Sequence, residues 1–212
     1  MKQLFILFVC ISVFHLAYSA GIVGSTQLLT QTYANQIETW LGEGSITLSL
    51  LYSKQTGDTA PTFHSAVDGK GRTIVLIQVL NNGNIIGGYN PFSWASSGSY
   101  RQTMEGNAFL FNLNQNVKQV QSQVYQTVNL SNYGPTFGGG HDIYVDNSLS
   151  SGYTNLHSYS GTYNISYLST GYNTITVGKI EVFTISAGVV PEPGSLLLLA
   201  FAGLILVFKL RK

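Results

Sequence analysis

His64 and Asp68 stand four residues apart, a spacing that puts two side chains on one face of a helical turn, where they could pair or begin a metal site. His141, Asp142 and Asp146 could add ligands, since Asp142 and Asp146 would point to the same side of a strand. The structural alternative reads Asp68-Gly69 as a turn, Asp146-Asn147 as a strand end, and the histidines as solvated or bonded to backbone. The sequence has no HExxH pair, EF-hand loop or tandem metal spacing, so neither metal nor cofactor is expected. Ser65 beside His64 and Ser158 beside His157 invite an acyl-transfer reading. There is no G-x-S-x-G elbow, however, and adjacency in sequence does not make a triad. Glu105 and Glu181 are the carboxylate pair a glycosidase would use. Glu181, between Ile180 and Val182, reads either as the outward side of an edge strand or as a buried carboxylate that fixes the packing of two sheets.

Tyr153, Tyr159, Tyr163, Tyr167 and Tyr172 are spread among Ser, Thr, Asn and Gly. Such a stretch suits sugar recognition, with rings stacked on tyrosines and short polar side chains bonding hydroxyls. Its alternative is a half-buried strand pair with solvated phenols. Gly87-Gly88 and Gly138-Gly139-Gly140 could cradle an anion with bare amides. Neither run leads into a helix with Lys-Ser/Thr, and close backbone approach explains both better.

The elements that must position these groups belong to an unusually uncharged chain. Of 212 residues 9% are charged, 44% hydrophobic and 12% aromatic, with a formal charge of +1. A globular chain usually carries about 25% charged residues, and disorder requires high charge with few aromatics, so 13 Tyr and 11 Phe point to a packed domain. Six basic against eight acidic residues between Ala20 and Val190 leave no field for phosphates, which excludes nucleic-acid binding. One domain of mixed helix and antiparallel sheet is expected. Leu28, Leu29, Tyr33, Ile37, Trp40 and Leu41 form a helical stripe over residues 25–42, stopped by Gly42. Residues 46–52 alternate as a strand, and 63–69 form one helical turn. Strands 73–80 and 85–89 are joined by Asn81-Asn82-Gly83-Asn84 as a hairpin. Residues 108–113 are a strand, 117–130 strand or helix, 137–145 a glycine-led strand, and 175–185 two short strands meeting at Gly178-Lys179.

Both ends read as targeting segments. Lys2, an apolar run over residues 4–16 and Ala17-Tyr18-Ser19 predict a signal peptide cut by signal peptidase between Ser19 and Ala20, with an uncleaved anchor helix as the alternative. Cleavage removes Cys10, the sole cysteine, and with it any thiol or disulfide chemistry. Residues 194–208 are apolar and small; at ~1.5 Å per residue they reach about 22 Å, a marginal stop-transfer segment. Lys209, Arg211 and Lys212 would remain cytoplasmic. Pro191-Glu192-Pro193, the apolar run and the basic cluster resemble the PEP-CTERM sorting signal of Gram-negative bacteria. The resemblance implies transient inner-membrane insertion, recognition by an exosortase near Pro191 to Pro193, tail removal, and export to the cell surface or exopolysaccharide matrix. A plain membrane anchor is the alternative.

Between these ends, Leu51-Tyr52-Ser53, Thr62-Phe63-His64, Asp68-Gly69-Lys70-Gly71, residues 73–77, Gly87-Gly88-Tyr89, Trp94, residues 108–113, Phe137-Gly138-Gly139-Gly140 and residues 179–183 resemble the TLDc domain, in order. The resemblance implies an α+β fold, a β-sandwich of two antiparallel sheets with a few edge helices, here followed by a C-terminal hydrophobic helix. Eukaryotic TLDc domains are associated with oxidative-stress resistance and with the vacuolar proton-pumping ATPase on its cytosolic side, a setting that export signals do not fit. The family brings no catalytic set. The expected division is signal peptide 1–19, TLDc-like domain 20–188 and sorting segment 189–212. The favoured function is an exported, non-enzymatic module binding extracellular polysaccharide or surface proteins. The alternative is an exported hydrolase or oxidant-protective enzyme using His64/Asp68 or His141/Asp142.

Overall fold

The computed structural model describes residues 19–160 and 173–188. Within them the chain forms β1 (Gly21–Val23), α1 (Gln31–Leu41), β2 (Ile46–Ser53), α2 (Ala60–Val67), β3 (Thr73–Val79), β4 (Ile85–Asn90), β5 (Ser99–Gln102) and β6 (Phe109–Asn112). It continues as β7 (Val117–Gln121), β8 (Tyr125–Asn129), β9 (Ile143–Val145), β10 (Ser151–Thr154), β11 (Tyr159–Ser160) and β12 (Asn173–Ala187). The main sheet runs β1-β2-β12-β3-β4-β6-β7-β11, with β10 and β9 branching from β12; β5 and β8 form a two-stranded sheet. Phe137 bridges Thr127 of β8 to Ile143 of β9, which joins the β5-β8 pair to the branch. Two sheets and two helices, mostly β, are compatible with the expected α+β sandwich. One pairing departs from it: β1 lies parallel to β2, because α1 carries the chain over between them. The sorting segment, over which a hydrophobic helix is expected, lies outside the described residues.

β3 shows where the core sits. Ile74 and Leu76 enter a cluster under α1 with Ala34, Ile37, Phe109, Phe111 and Phe183. Val75, Ile77 and Val79 face the other way, into a cluster with Trp94, Leu110, Phe137, Ile143 and Val145. A strand covered on both sides has no polar face to show, hence its unbroken apolar run.

α1 starts later than its apolar stripe predicts, for a physical reason. Thr30 is the N-cap, accepting the Tyr33 N–H at 3.2 Å, because residues 26–29 are already engaged. The Thr26 hydroxyl oxygen accepts the Leu29 N–H at 2.9 Å, while the N–H groups of Gln27 and Leu28 donate to the Glu181 carboxylate at 2.7 and 3.2 Å. The Thr26 O–H donates to the same carboxylate. Glu181 lies on β12 between β2 and β3 and is 1% exposed, so it faces the interior and not the outside of an edge strand. At the other end of α1, Gly42 adopts φ 69° and donates to Glu38 O, the stop its sequence predicts.

Other elements hold or shift. The 81–84 hairpin forms, with the Gly83 N–H on Val79 O at 2.8 Å. The turn at 63–69 is the end of a full helix, α2, with Pro61 in its first turn. Residues 117–130 are two strands, β7 and β8. The stretch 137–145 is mostly a turn: positive φ at Gly138, Gly140 and His141 folds the chain back until Phe137 pairs with Ile143. Residues 175–185 belong to one strand, β12, with an irregularity between Val177 and Ile180. Gly87 and Gly88 serve close approach, since a Cβ on Gly87 would lie 1.8 Å from Val75 O.

Replacing Glu181 by Leu strands the amides of Gln27 and Leu28 in the interior. The expected cost is about 3 kcal/mol of unfolding free energy, against about 1 kcal/mol for Thr26→Val, read from urea titrations.

Candidate ligand-binding surface

β9 and β10 alternate strictly. Ile143, Val145, Gly152 and Thr154 are buried, and Tyr144 and Tyr153 between them are half-buried. The two tyrosines stand opposite each other in register, ring centroids 5.0 Å apart. His141 lays its ring over Tyr144 at 5.4 Å and 21°, and over Tyr100 of β5 at 6.4 Å and 23°. Tyr133 meets His141 and Tyr144 edge-on at 5.5 and 4.8 Å. Tyr125 of β8 stands edge-on to Tyr100 at 5.3 Å, against Gly139, where a Cβ would come within 2.6 Å of its ring. Five tyrosines and one histidine thus form a contiguous, half-buried aromatic surface.

Its electrostatics are mild. His141 Nδ1 lies 2.7 Å from the Tyr153 hydroxyl and Nε2 3.4 Å from that of Tyr100. Burial lowers the His141 pKa below its ordinary value, which favours the neutral ring. A neutral ring accepts the Tyr153 O–H on Nδ1 and keeps its own N–H on Nε2, toward Tyr100. Burial, then the neighbouring Tyr133 and Asp146, pushes the Tyr144 phenol up, so it too stays uncharged. The surface offers ring faces and hydroxyls rather than charge.

Behind it the turn at residues 138–142 is locked. Asp142 is fully buried and accepts the N–H groups of His157, Ser158 and Tyr159 at 2.6, 2.8 and 2.9 Å. Burial raises the pKa of its carboxyl while these amides pull the other way. A Cβ on Gly138 would strike the Asp142 carboxylate at 1.8 Å. The Ser158 hydroxyl accepts from Gly139 N and donates to Gly139 O. His64 holds the neighbouring loop. Its Nδ1 meets Asp68 at 2.8 Å, and its Nε2 lies 3.0 and 3.1 Å from the carbonyls of Leu130 and Tyr133. With partners on both ring nitrogens, His64 ties α2 to the segment that presents Tyr133.

His64 and Asp68 therefore pair as their spacing predicts, but no ring nitrogen is left for Ser65. His141 and Asp142 part company, one toward the tyrosines and the other inward. Asp146 closes its own turn through Ser148 and Ser151. Among the described residues no group of three His, Cys, Asp or Glu is placed to hold a metal. Tyr159 is 2% exposed, its hydroxyl on Gln126 O at 2.7 Å, and shows no face to a ligand. Tyr163, Tyr167 and Tyr172 lie outside the described residues, as do Pro191, Glu192, Pro193, Lys209, Arg211 and Lys212. At the described start Ser19 is exposed and Ala20 buried, its N–H on Asn35 Oδ1 at 3.1 Å. Local tyrosine density found Tyr153 but missed Tyr100, Tyr125, Tyr133 and Tyr144. Of these, only Tyr144, set between Ile143 and Val145, carries a local signal, the two-residue alternation.

Because His141 protonates less readily folded than unfolded, the unfolded chain takes up the extra proton as pH falls from about 6.5 toward the lowered value, and stability falls with it. Melting temperatures should decline over that window, and His141→Phe should flatten the decline.

The comparisons with known proteins fall on both parts of the chain. The TLDc domain family matches residues 22–186, and the PEP-CTERM protein-sorting motif matches residues 189–212. A search of curated proteins finds no match. The first match covers most of the 212 residues, from β1 to β12. The chain belongs to the TLDc domain family and carries a PEP-CTERM sorting motif over residues 189–212.

Proposed function

We propose that this chain is an exported TLDc module that binds a neutral polysaccharide of the cell surface or matrix through its outer tyrosine surface, without turning it over. The carrying observation is the gathering of Tyr100, Tyr125, Tyr133, Tyr144 and Tyr153 around His141. Stacked rings with a fringe of hydroxyls match a pyranose, whose faces are apolar and whose edges hydrogen-bond. The groups an enzyme would need support the same reading by being spent on packing: His64, Asp142 and Ser158 each hold backbone in place.

The PEP-CTERM motif implies exosortase processing and signal-dependent export. In this proposal signal peptidase removes residues 1–19, and residues 194–208 hold the chain in the inner membrane with Lys209, Arg211 and Lys212 inside. Cleavage near Pro191-Glu192-Pro193 then releases the domain 20–188. The buried Ala20 beside exposed Ser19 favours that start. Intact mass of the protein recovered outside the inner membrane of its host should show Ala20 as first residue and an end near Pro191 to Pro193. Retention of the tail contradicts the processing.

For binding, the host's neutral extracellular polysaccharide is titrated into wild type and a Tyr144→Ala/Tyr153→Ala variant. At about 1 kcal/mol per stacked ring, the variant should bind at least ~10-fold more weakly with unchanged circular dichroism. Equal affinity overturns the proposal.

A further inference from the structure

A second concavity lies on the other side of the main sheet, beside α1. It has a volume of about 340 Å³, at the lower end for small-ligand sites and fitting a single sugar ring. Phe109 and Tyr89, both in the cluster under α1, form its floor with centroids 5.3 Å apart, and Trp40 stands edge-on to Phe109 at 6.2 Å. At its rim Met104 and Val120 are 49% and 50% exposed, among the few large apolar side chains left in water in the described residues.

Lys118 gives the pocket its chemistry. Its ammonium lies 4.5 Å from the Phe109 centroid and donates to Trp40 O at 2.8 Å. Burial lowers its pKa, and no carboxylate contributes to the shift. Among the described residues the ion pair made by a Lys or Arg is Arg72–Glu43. Glu43, the acid in this lining, is held by Arg72 Nη1 at 2.6 and 2.7 Å. A half-buried cation without a counter-ion has lost hydration that an anion would restore. The accessible apolar wall of Trp40, Met104 and Val120 beside one ammonium matches a ring with an apolar face and a single negative charge. A phosphate would call for more donors.

We propose that the pocket at Trp40, Met104, Val120 and Lys118 is a second, independent binding site for a hexuronate, its carboxylate on Lys118 and its apolar pyranose face against the accessible Trp40, Met104 and Val120 side chains. The site lies apart from the tyrosine surface and does not rest on the reading of that surface. It takes acidic sugar where the other takes neutral sugar, so one copy of the module could join two kinds of polysaccharide chain.

The test titrates glucuronate, a glucuronate-containing oligosaccharide and neutral glucose into the protein recovered from its host. The chain has two tryptophans; Trp94 is fully buried and Trp40 half-buried, so tryptophan fluorescence reports on this pocket. Glucuronate should change the emission in a saturable way that weakens with salt, with glucose at least ~10-fold weaker. Lys118→Met should lose at least ~10-fold in affinity and Lys118→Arg should retain binding, while Tyr144→Ala/Tyr153→Ala binds glucuronate as wild type does. Binding of the monosaccharide identifies free hexuronate as a sufficient ligand; binding of the oligosaccharide alone identifies the polymer. No saturable change with either acidic ligand overturns the proposal, as does unchanged affinity in a folded Lys118→Met protein. Should that variant not fold, equal binding of glucose and glucuronate by wild type overturns it as well.

Discussion

Glu181 sits in the interior of β12, and a carboxylate removed from water must be given donors. The donors come from residues 26–28, more than 150 residues earlier in the chain, so the segment before α1 is pinned across the sheet. Much follows from that one tie. Residues 26–29 cannot continue α1 toward the N-terminus, so the helix begins after Thr30 and lies over Ile74, Leu76, Phe109 and Phe111. Its last turn brings Trp40 beside Phe109 and leaves the pocket next to Lys118. β12 pairs with β2 and β3 in the main sheet and with β10 near its start, so the strand carrying Glu181 also anchors the branch that displays Tyr144 and Tyr153.

The tyrosine surface is supported from behind by groups that look catalytic in the sequence. Asp142 binds three consecutive amides, which fixes the 157–159 segment against the glycine turn. His64 bonds Asp68 on one side and two carbonyls on the other. Both sit next to a surface tyrosine or histidine and both are buried, an arrangement that holds side chains at a binding surface with little freedom to lose on binding. Positive φ at His141 belongs to the same design: the turn that lets Phe137 pair with Ile143 also throws the imidazole outward onto Tyr144.

What was legible in the sequence was local. The hairpin at Asn82-Gly83, the stop at Gly42 and the His64–Asp68 pair each depend on residues within a few positions of one another, whereas the alternation read over residues 46–52 breaks at Leu51, where a register shift against β12 turns Tyr52 to the opposite cluster from Ile46, Leu48 and Leu50. Glu181 was ambiguous because its neighbours Ile180 and Val182 look alike on an edge strand and on a central one; only the pairing with β2 and β3 decides. The tyrosine surface depends on long-range pairing in the same way. Tyrosine density marked residues 153–172; of these Tyr159 turns inward, while Tyr100, Tyr125, Tyr133 and Tyr144 reach Tyr153 through strand order and a turn with positive φ at Gly138, Gly140 and His141. Gly178 hid a continuous strand: it looked like a break, and it is where β12 passes under the ends of the Gln78 and Leu80 side chains.

Aromatic-ring NMR of the protein, titrated with fragments of its host's neutral extracellular polysaccharide, bears most directly on the binding role of this surface. Ring signals of Tyr133, His141, Tyr144 and Tyr153 should shift together and saturate, with Tyr159 and Trp94 unmoved. Saturable shifts confined to other residues, or none at all, would contradict it.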